Sequence, residues 1–184
     1  QKEIIKKCNE TGKLVITATQ MLESMINSKI PTRAEAADVA NAVWDGTDVV
    51  MLSGETSVGK NPVETVKMMS EIVSNAEKHF VTNDRIIFHV PETLEENLFD
   101  SVLKGITLVS EQIKASAIVV FTFKGRAAHG LAKYRPVAKI IAVSDSFDTM
   151  NNLCLRWGVT SLFINKIDKQ HAAINEAKDL ILNA

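Results

Sequence analysis

The sequence predicts an α/β fold on the basis of its hydrophobic pattern, its helix signals and its composition. Short apolar runs of strand length alternate with longer segments of helical period, which is typical of parallel βα units whose sheet is covered on both faces. The 184 residues, of which 46% are hydrophobic and 23% charged, suffice to bury a sizeable core. The predicted strands are 14–18, 48–52, 117–123, 140–143 and 161–164.

The helix signals are clearest in the first part of the chain. Thr32 offers a hydroxyl that can cap a helix, and Glu35, three residues later, completes a capping box before a run of good helix formers. Gly46 marks the end of that helix. Another helix begins at Pro62, because the missing N–H of proline is harmless in a first turn.

A change of pattern near residue 80 predicts two domains, 1–80 and 81–184. The stretch 81–96 is loosely patterned, and a helix over 97–112 then leads into the third strand. The first domain holds only two βα units, which cannot cover both faces of a sheet, so it is interpreted as the edge of a larger barrel. The last helix, 169–182, would ordinarily lead into another strand. We therefore expect a chain that begins and ends inside a longer protein.

Charge and cysteine content favour small-molecule chemistry in the cytoplasm. The formal net charge of −1 gives no bulk attraction for nucleic acid or anionic lipid, and no apolar run reaches the ~20 residues that cross a bilayer. Cys8 and Cys154 lack the spacing of a disulfide framework or a zinc site. The four histidines are too scattered for a ligand cluster. We expect no nucleic acid, no membrane and no metal site within this chain.

Polar side chains follow the first two predicted strands. The first strand leads into Thr19, and the second leads into Ser53. Because functional groups gather at the carboxyl ends of parallel strands, both hydroxyls are expected at the mouth of the same barrel. The alternative is that each hydroxyl only caps the helix that follows it. The spacing alone leaves both interpretations open.

Several segments resemble one enzyme family. ITATQMLESM at 16–25, PTRAEAADVANAV at 31–43 and DVVMLSGETSVGKNPVE at 48–64 closely resemble the last barrel segments of pyruvate kinases. More loosely, GRAAHGLAKYRP at 125–136 and IIAVSDS at 140–146 resemble the C-terminal domain of that family. The resemblance implies the last two βα units of a TIM (β/α)8 barrel, followed by an α/β C-terminal domain with a mostly parallel sheet.

The resemblance also implies an activity. Pyruvate kinases transfer the phosphoryl group of phosphoenolpyruvate to ADP, giving pyruvate and ATP in the last step of glycolysis. Such transfer depends mainly on positioning and charge neutralisation, for which the family uses Mg2+ or Mn2+ and K+. The family's catalytic lysine and metal ligands lie in earlier segments, so this chain alone is expected to be inactive. A cytoplasmic homotetramer is the family expectation.

Individual roles are implied residue by residue. Thr19 corresponds to the family threonine beside the substrate carboxylate and the reacting methylene carbon, and Ser53 to a serine in the network linked to enolate protonation. A hydroxyl has no pKa near neutrality, so Thr19 is expected to orient or relay a proton. Arg33 corresponds to an arginine between neighbouring barrels. The alternative is a solvated first-turn arginine, although a positive charge is slightly unfavourable at a helix N-terminus. For Glu55 and Glu23, helix-end solvation or salt bridging is favoured over acid–base or metal roles.

The third strand leads into a second polar turn. Thr122, Lys124, Gly125 and Arg126 precede a predicted helix, whose N-terminal N–H groups can hold a phosphate. Regulated pyruvate kinases bind a sugar phosphate at this corner with serines where this chain has Lys124 and Ala127. We therefore expect no activation by fructose bisphosphate and retain the turn as a candidate for another phosphorylated effector. The alternative is an ordinary turn with solvated charges.

Two rival hypotheses remain. In one, the chain is a non-catalytic module that binds a phosphorylated effector or mediates oligomerisation. In the other, it belongs to a catalytically inactive relative of pyruvate kinases. Residues outside this chain would decide whether the parent protein is an active pyruvate kinase or an inactive relative.

Overall fold

The computed structural model describes residues 1–79, 94–165 and 170–182. The chain forms two compact units, Gln1–Asp84 and Arg85–Ala184. The α/β class is confirmed, since parallel strands alternate with helices in both units. The boundary predicted near residue 80 and most of the loosely patterned stretch 81–96 lie outside the described residues.

The first unit contains two short parallel strands and five helical segments among its described residues. In chain order these are α1 (Lys2–Glu10), β1 (Ile16–Thr17), a 3-10 helix (Glu23–Ile26), α2 (Arg33–Trp44), β2 (Val49–Val50), α3 (Gly54–Ser57) and α4 (Pro62–Lys78). Strand β1 pairs with β2, with Ile16 opposite Val49. The core of this unit consists of Met21, Leu22, Met25, Val39, Ala42 and Met69.

The helix signals in this unit are confirmed. Thr32 Oγ1 accepts a hydrogen bond from Glu35 N at 3.3 Å, while Glu35 Oε2 accepts one from Thr32 N at 2.8 Å, which completes the capping box of α2. Gly46 follows the end of α2 with a φ of +93°, a left-handed conformation that glycine adopts readily. Pro62 is the first residue of α4.

The two strands of the first unit are shorter than the predicted ranges 14–18 and 48–52. At their start, Asp48 Oδ2 accepts a hydrogen bond from Val15 N at 3.0 Å, so a side chain takes the place of a strand partner there. The buried hydroxyl of Thr17 donates to Thr47 Oγ1 at 2.9 Å. Side-chain hydrogen bonds thus supplement a strand ladder only two residues long.

The second unit is built around a three-stranded parallel sheet in the order β3-β4-β5. Its elements are α5 (Leu94–Gln112), β3 (Ala117–Phe121), α6 (Arg126–Lys133), β4 (Lys139–Ser144), α7 (Phe147–Leu153), β5 (Val159–Phe163) and α8 (Gln170–Leu182). Strand β3 ends two residues before the predicted limit, and β5 begins two residues before its predicted start. The predicted helices 97–112 and 169–182 correspond to α5 and α8.

Helix α6 packs closely on helix α5. A Cβ atom at Gly130 would lie 2.2 Å from Leu103 Cδ1, so glycine permits this close approach. Lys133 Nζ forms an ion pair with Asp100 Oδ1 at 3.0 Å. Next to it, burial raises the pKa of Tyr134, and hydrogen bonding and repulsion from Asp100 raise it further. Apolar packing and a largely buried ion pair therefore hold α5 and α6 together.

Among the helices that the structure describes, none has both the length and the apolar content that a membrane span requires.

Candidate active site

The hydroxyl-bearing residues Thr19 and Ser53 lie just beyond the carboxyl ends of β1 and β2. Both side chains are exposed. Because β1 and β2 are parallel neighbours, the loops that follow them leave the sheet at the same edge. The structure thus brings together the two segments that the sequence selects.

Helix capping does not account for either hydroxyl. Ser53 occupies the N-cap position of α3, but its side chain makes no capping hydrogen bond within the described part of the chain. After Thr19 the next helical segment begins at Glu23, and Thr19 Oγ1 contacts Met21 Sδ at 3.8 Å. The capping alternative is therefore not supported for these two residues.

The chain turns sharply directly after Thr19. Gln20 has a φ of +38°, in the left-handed region that residues other than glycine seldom adopt. Its side-chain Nε2 donates to Glu23 Oε1 at 3.0 Å, which helps to hold the turn. Backbone strain of this kind is frequent at functional sites.

Glu55 is the residue of this edge whose environment was not predicted from the sequence. Its side chain was expected to be solvated or paired with a base, yet the residue is only 3% exposed, so that expectation is wrong. Its carboxylate accepts hydrogen bonds from Leu22 N at 3.1 Å and from Ser53 N at 2.8 Å. The available signal was its position in the first turn of a helix, where unpaired backbone N–H groups favour a carboxylate. Glu23, in contrast, is exposed as expected.

The electrostatics of Glu55 follow from these contacts. Burial raises the pKa of the carboxyl, but backbone N–H groups of Glu55, Ser53, Leu22 and Met21 stabilise the charged form more strongly. The pKa of Glu55 is therefore held below its ordinary value. At neutral pH the side chain is an anion that accepts hydrogen bonds, and it has no proton to donate.

A second carboxylate holds the far end of the loop that follows β1. Glu35 accepts hydrogen bonds from Ser24 N at 2.7 Å and Ser24 Oγ at 2.5 Å, in addition to those from Thr32. Burial raises the pKa of Glu35, but the hydrogen bonds from Ser24 and Thr32 outweigh it and lower the pKa to about 2. The loop from Thr19 to Ser24 is thus fastened to α3 at one point and to α2 at another.

Comparisons with known proteins agree with the geometry. Residues 1–66 match the family model described as "Pyruvate kinase, barrel domain", and residues 100–184 match "Pyruvate kinase, alpha/beta domain". A pyruvate kinase of Clostridium acetobutylicum is 41% identical over 184 residues, which cover 100% of this chain and 39% of that protein. A pyruvate kinase of Geobacillus stearothermophilus is 46% identical over 159 residues, covering 86% of this chain and 27% of that protein.

This chain belongs to the pyruvate kinase family. A crystal structure of a Cryptosporidium parvum pyruvate kinase superposes with a TM-score of 0.90 at 37% identity, covering 97% of this chain and 36% of that one. The enzyme of the same organism in complex with ADP gives a TM-score of 0.87 at 36% identity, covering 99% of this chain and 37% of that one. The chain therefore spans less than two fifths of the length of these relatives.

Arg33 is the remaining candidate site residue of the first unit. Arg33 is the exposed first residue of α2, and its role at a subunit interface of the pyruvate kinase stays a prediction. Among the described residues, no cluster of three or more histidine, cysteine or acidic side chains is arranged to hold a metal ion.

The four residues predicted to bind a phosphorylated effector lie together in the turn after β3. Thr122 is buried, and its Oγ1 accepts a hydrogen bond from Gly125 N at 2.9 Å. Gly125 has a φ of +78° and precedes α6, while Lys124 is exposed. The guanidinium of Arg126 stacks on the ring of Phe99 at 4.4 Å. Two exposed cations thus flank the start of α6, whereas the Thr122 hydroxyl oxygen already has a partner within the turn.

Proposed function

We propose that this chain forms one wall of the active site of a pyruvate kinase. The enzyme would transfer the phosphoryl group of phosphoenolpyruvate to ADP, giving pyruvate and ATP, as the last step of glycolysis. The observation that carries the proposal is the edge at β1 and β2, where Thr19 and Ser53 lie on two loops joined by the buried carboxylate of Glu55. The ADP complex of the Cryptosporidium parvum relative supports ADP as a ligand of the whole enzyme.

In this proposal the chain contributes positioning and proton handling. Phosphoryl transfer leaves enolpyruvate, which must gain a proton at carbon to become pyruvate. Thr19 would contact the substrate carboxylate and relay or orient that proton through its hydroxyl, with Ser53 in the same hydrogen-bonded chain. Neither residue acts as a base, because a hydroxyl has no pKa near neutral pH.

The whole enzyme is proposed to use Mg2+ or Mn2+ together with K+, which neutralise the charge of the transferring phosphoryl group. Glu55 does not fit as a ligand because backbone N–H groups donate to both of its oxygens. We place the metal ligands and the catalytic lysine in other segments of the enzyme. The isolated chain is accordingly proposed to be inactive.

The test measures pyruvate formation from phosphoenolpyruvate and ADP with Mg2+ and K+, using the full-length protein that contains this chain. We expect activity in the full-length protein and none in residues 1–184 alone. In the full-length protein, Thr19→Ala should lower kcat by about 100-fold, which is within the range of a lost proton-transfer group, and should change KM less. An unchanged kcat would remove Thr19 from the mechanism.

A matched control is available in the same unit. Thr11 is an exposed threonine at the end of α1, where its hydroxyl donates to Lys7 O at 2.9 Å. Thr11→Ala removes the same hydroxyl at a site away from the edge and should leave kcat unchanged. A silent, correctly folded full-length protein would instead indicate an inactive relative of pyruvate kinases.

A second proposed role concerns the turn after β3. The exposed cations Lys124 and Arg126 at the start of α6 favour a phosphorylated effector of the C-terminal domain. Titration of the full-length protein with sugar phosphates, followed by calorimetry, tests this role. Binding that disappears in Arg126→Gln would support it, and unchanged binding in that variant would refute it.

The proposed setting is a cytoplasmic homotetramer in which Arg33 contacts a neighbouring barrel. Analytical ultracentrifugation of the full-length protein and of Arg33→Ala tests the contact. We expect a shift toward smaller species in the variant, because an interface arginine is a frequent source of binding energy.

A further inference from the structure

The buried carboxylate of Glu55 joins two loops that the strands no longer hold together. The ladder between β1 and β2 ends where Met51 N donates to Thr17 O at 2.9 Å. Thr19 lies two residues beyond that point on one loop, and Ser53 lies two residues beyond it on the other. Any fixed relation between these hydroxyls must therefore come from contacts outside the ladder.

Glu55 supplies such contacts to both loops. Its Oε1 accepts from Leu22 N, three residues after Thr19, and its Oε2 accepts from the backbone N–H of Ser53 itself. Each carboxylate oxygen therefore serves a different loop. Hydrogen bonds to an ionised acceptor are about twice as strong as neutral ones, so this bridge is stiff compared with ordinary loop contacts.

The surroundings keep this bridge in place. Leu22 is 0% exposed and Met21 3% exposed, so the loop after Thr19 is anchored in the core. On the other side, the turn after α3 lies against the backbone of Glu55, where a Cβ atom at Gly59 would lie 2.1 Å from the backbone oxygen of Glu55. A buried charge is costly unless it is fully hydrogen-bonded, and the backbone N–H groups of Leu22 and Ser53 supply those hydrogen bonds to Glu55.

We propose that Glu55 is a positioning residue, which sets Thr19 at the correct distance from Ser53 for protonation of the enolate. This inference rests on the proposed function of the edge. Proton transfer needs heavy-atom distances of about 2.6–3.2 Å, and a displacement of about 1 Å can cost about 100-fold in rate. Glu55 acts only through the backbone and does not touch the substrate in this scheme.

The test separates protonation from phosphoryl transfer in the full-length protein. Protonation is followed as exchange of solvent deuterium into the methyl group of pyruvate, which is the same step in reverse, and phosphoryl transfer as formation of ATP. Glu55→Gln keeps the size of the side chain but turns an amide donor toward one of the two backbone N–H groups. We expect the ratio of exchange to ATP formation to fall by at least about tenfold.

Two further variants distinguish positioning from simple stabilisation. Glu55→Asp keeps the charge on a shorter side chain and should restore part of the ratio. Glu35→Gln is the matched control, because Glu35 holds the same loop through Ser24 N at 2.7 Å but contacts neither Met21, Leu22 nor Ser53 in the described structure. It should lower stability and leave the ratio unchanged.

The measurements on Glu55→Gln distinguish a failure of the positioning role from a failure of the proposed function. An equal loss of both activities in Glu55→Gln, with an unchanged ratio, would reduce Glu55 to a structural residue and overturn the proposal. If the wild-type protein forms no ATP, the proposed function fails first. Hydrogen exchange of the Leu22 and Ser53 amides then tests the bridge alone, with faster exchange in Glu55→Gln supporting it and unchanged exchange overturning it.

Discussion

The loops that follow the strands are held by different physical means in the two units. At the edge of β1 and β2, the carboxylates of Glu55 and Glu35 accept hydrogen bonds from backbone N–H groups of distant loops. At the turn after β3, a neutral hydroxyl bonds to an amide three residues away, and the helix that follows rests on an apolar core. The first arrangement depends on charge, whereas the second depends on packing.

The difference in how the loops are held corresponds to a difference in the length of strand pairing in the two sheets. Strands β1 and β2 pair over only two residues, so side-chain hydrogen bonds must join the neighbouring segments in place of a longer strand ladder. Strands β3, β4 and β5 pair over five residues at each contact, and helix α6 closes one of their faces. A long ladder with a covered face can fix a neighbouring turn through local contacts alone. The loops of the candidate active site are held by ionised groups, whereas the turn after β3 is held by a neutral hydroxyl and apolar packing.

A substitution in the core of the second unit tests the role of packing there and should cause the greatest loss of stability. Leu131 lies on α6 and is 1% exposed within the core of this unit. Leu131→Ala should lower the free energy of unfolding by about 2–5 kcal/mol, because it removes apolar contacts and leaves a cavity. Urea unfolding followed by the fluorescence of Trp157, the one tryptophan of this unit, measures the loss.

Leu155→Ala is the control for this measurement, because Leu155 is 45% exposed. Its effect should stay within about 0.5 kcal/mol. Equal effects of the two variants would contradict the claim that packing beneath α6 holds the turn.

The pH dependence of stability tests the role of charge in the first unit, and the expected loss of stability is intermediate in size. The pKa of Glu35 is lowered to about 2 in the folded state, from an ordinary value near 4.5. A carboxyl with a depressed folded pKa stabilises the protein above the unfolded pKa and loses that contribution as pH falls through the folded pKa. We expect the first unit to lose stability between about pH 5 and pH 2.

Glu35→Gln should remove part of this pH dependence and cost about 1.5–3 kcal/mol at pH 7, because hydrogen bonds to a charged group are lost. Unfolding at several pH values, followed by the fluorescence of Trp44, gives the slope. A slope identical to that of the wild type would show that Glu35 does not carry the effect. Glu55, whose pKa is also lowered, should account for part of the remaining slope.

The smallest expected effect concerns the hydroxyl in the second turn. Thr122→Val keeps the shape of the side chain but leaves the buried N–H of Gly125 without its acceptor. The expected cost is about 1 kcal/mol, independent of pH between 3 and 7. Thr122→Ser retains the hydroxyl and should lose less. A strong pH dependence in Thr122→Val would remove the contrast between the two turns.

Features that depend on residues close together in the sequence were predictable. The capping box of Thr32 and Glu35 spans three residues, and Pro62 starts a helix through its own ring geometry, so both were predictable. The α/β class and the placement of Thr19 and Ser53 after adjacent strands follow from hydrophobic periodicity and from the resemblance of the motifs around them. These signals depend on residues close together in the sequence, so they can be recognised before the fold is known.

Features that depend on contacts between distant residues could not be predicted from the sequence. Glu55 reads as an ordinary solvated helix-end glutamate, yet it is buried because Leu22, 33 residues earlier, presents an N–H group to its carboxylate. In the same way, the side chain of Asp48 accepts a hydrogen bond from Val15 N, 33 residues earlier, beside the short strands. A charged side chain becomes buried only where the fold supplies several donors, and those donors come from segments far apart in the sequence.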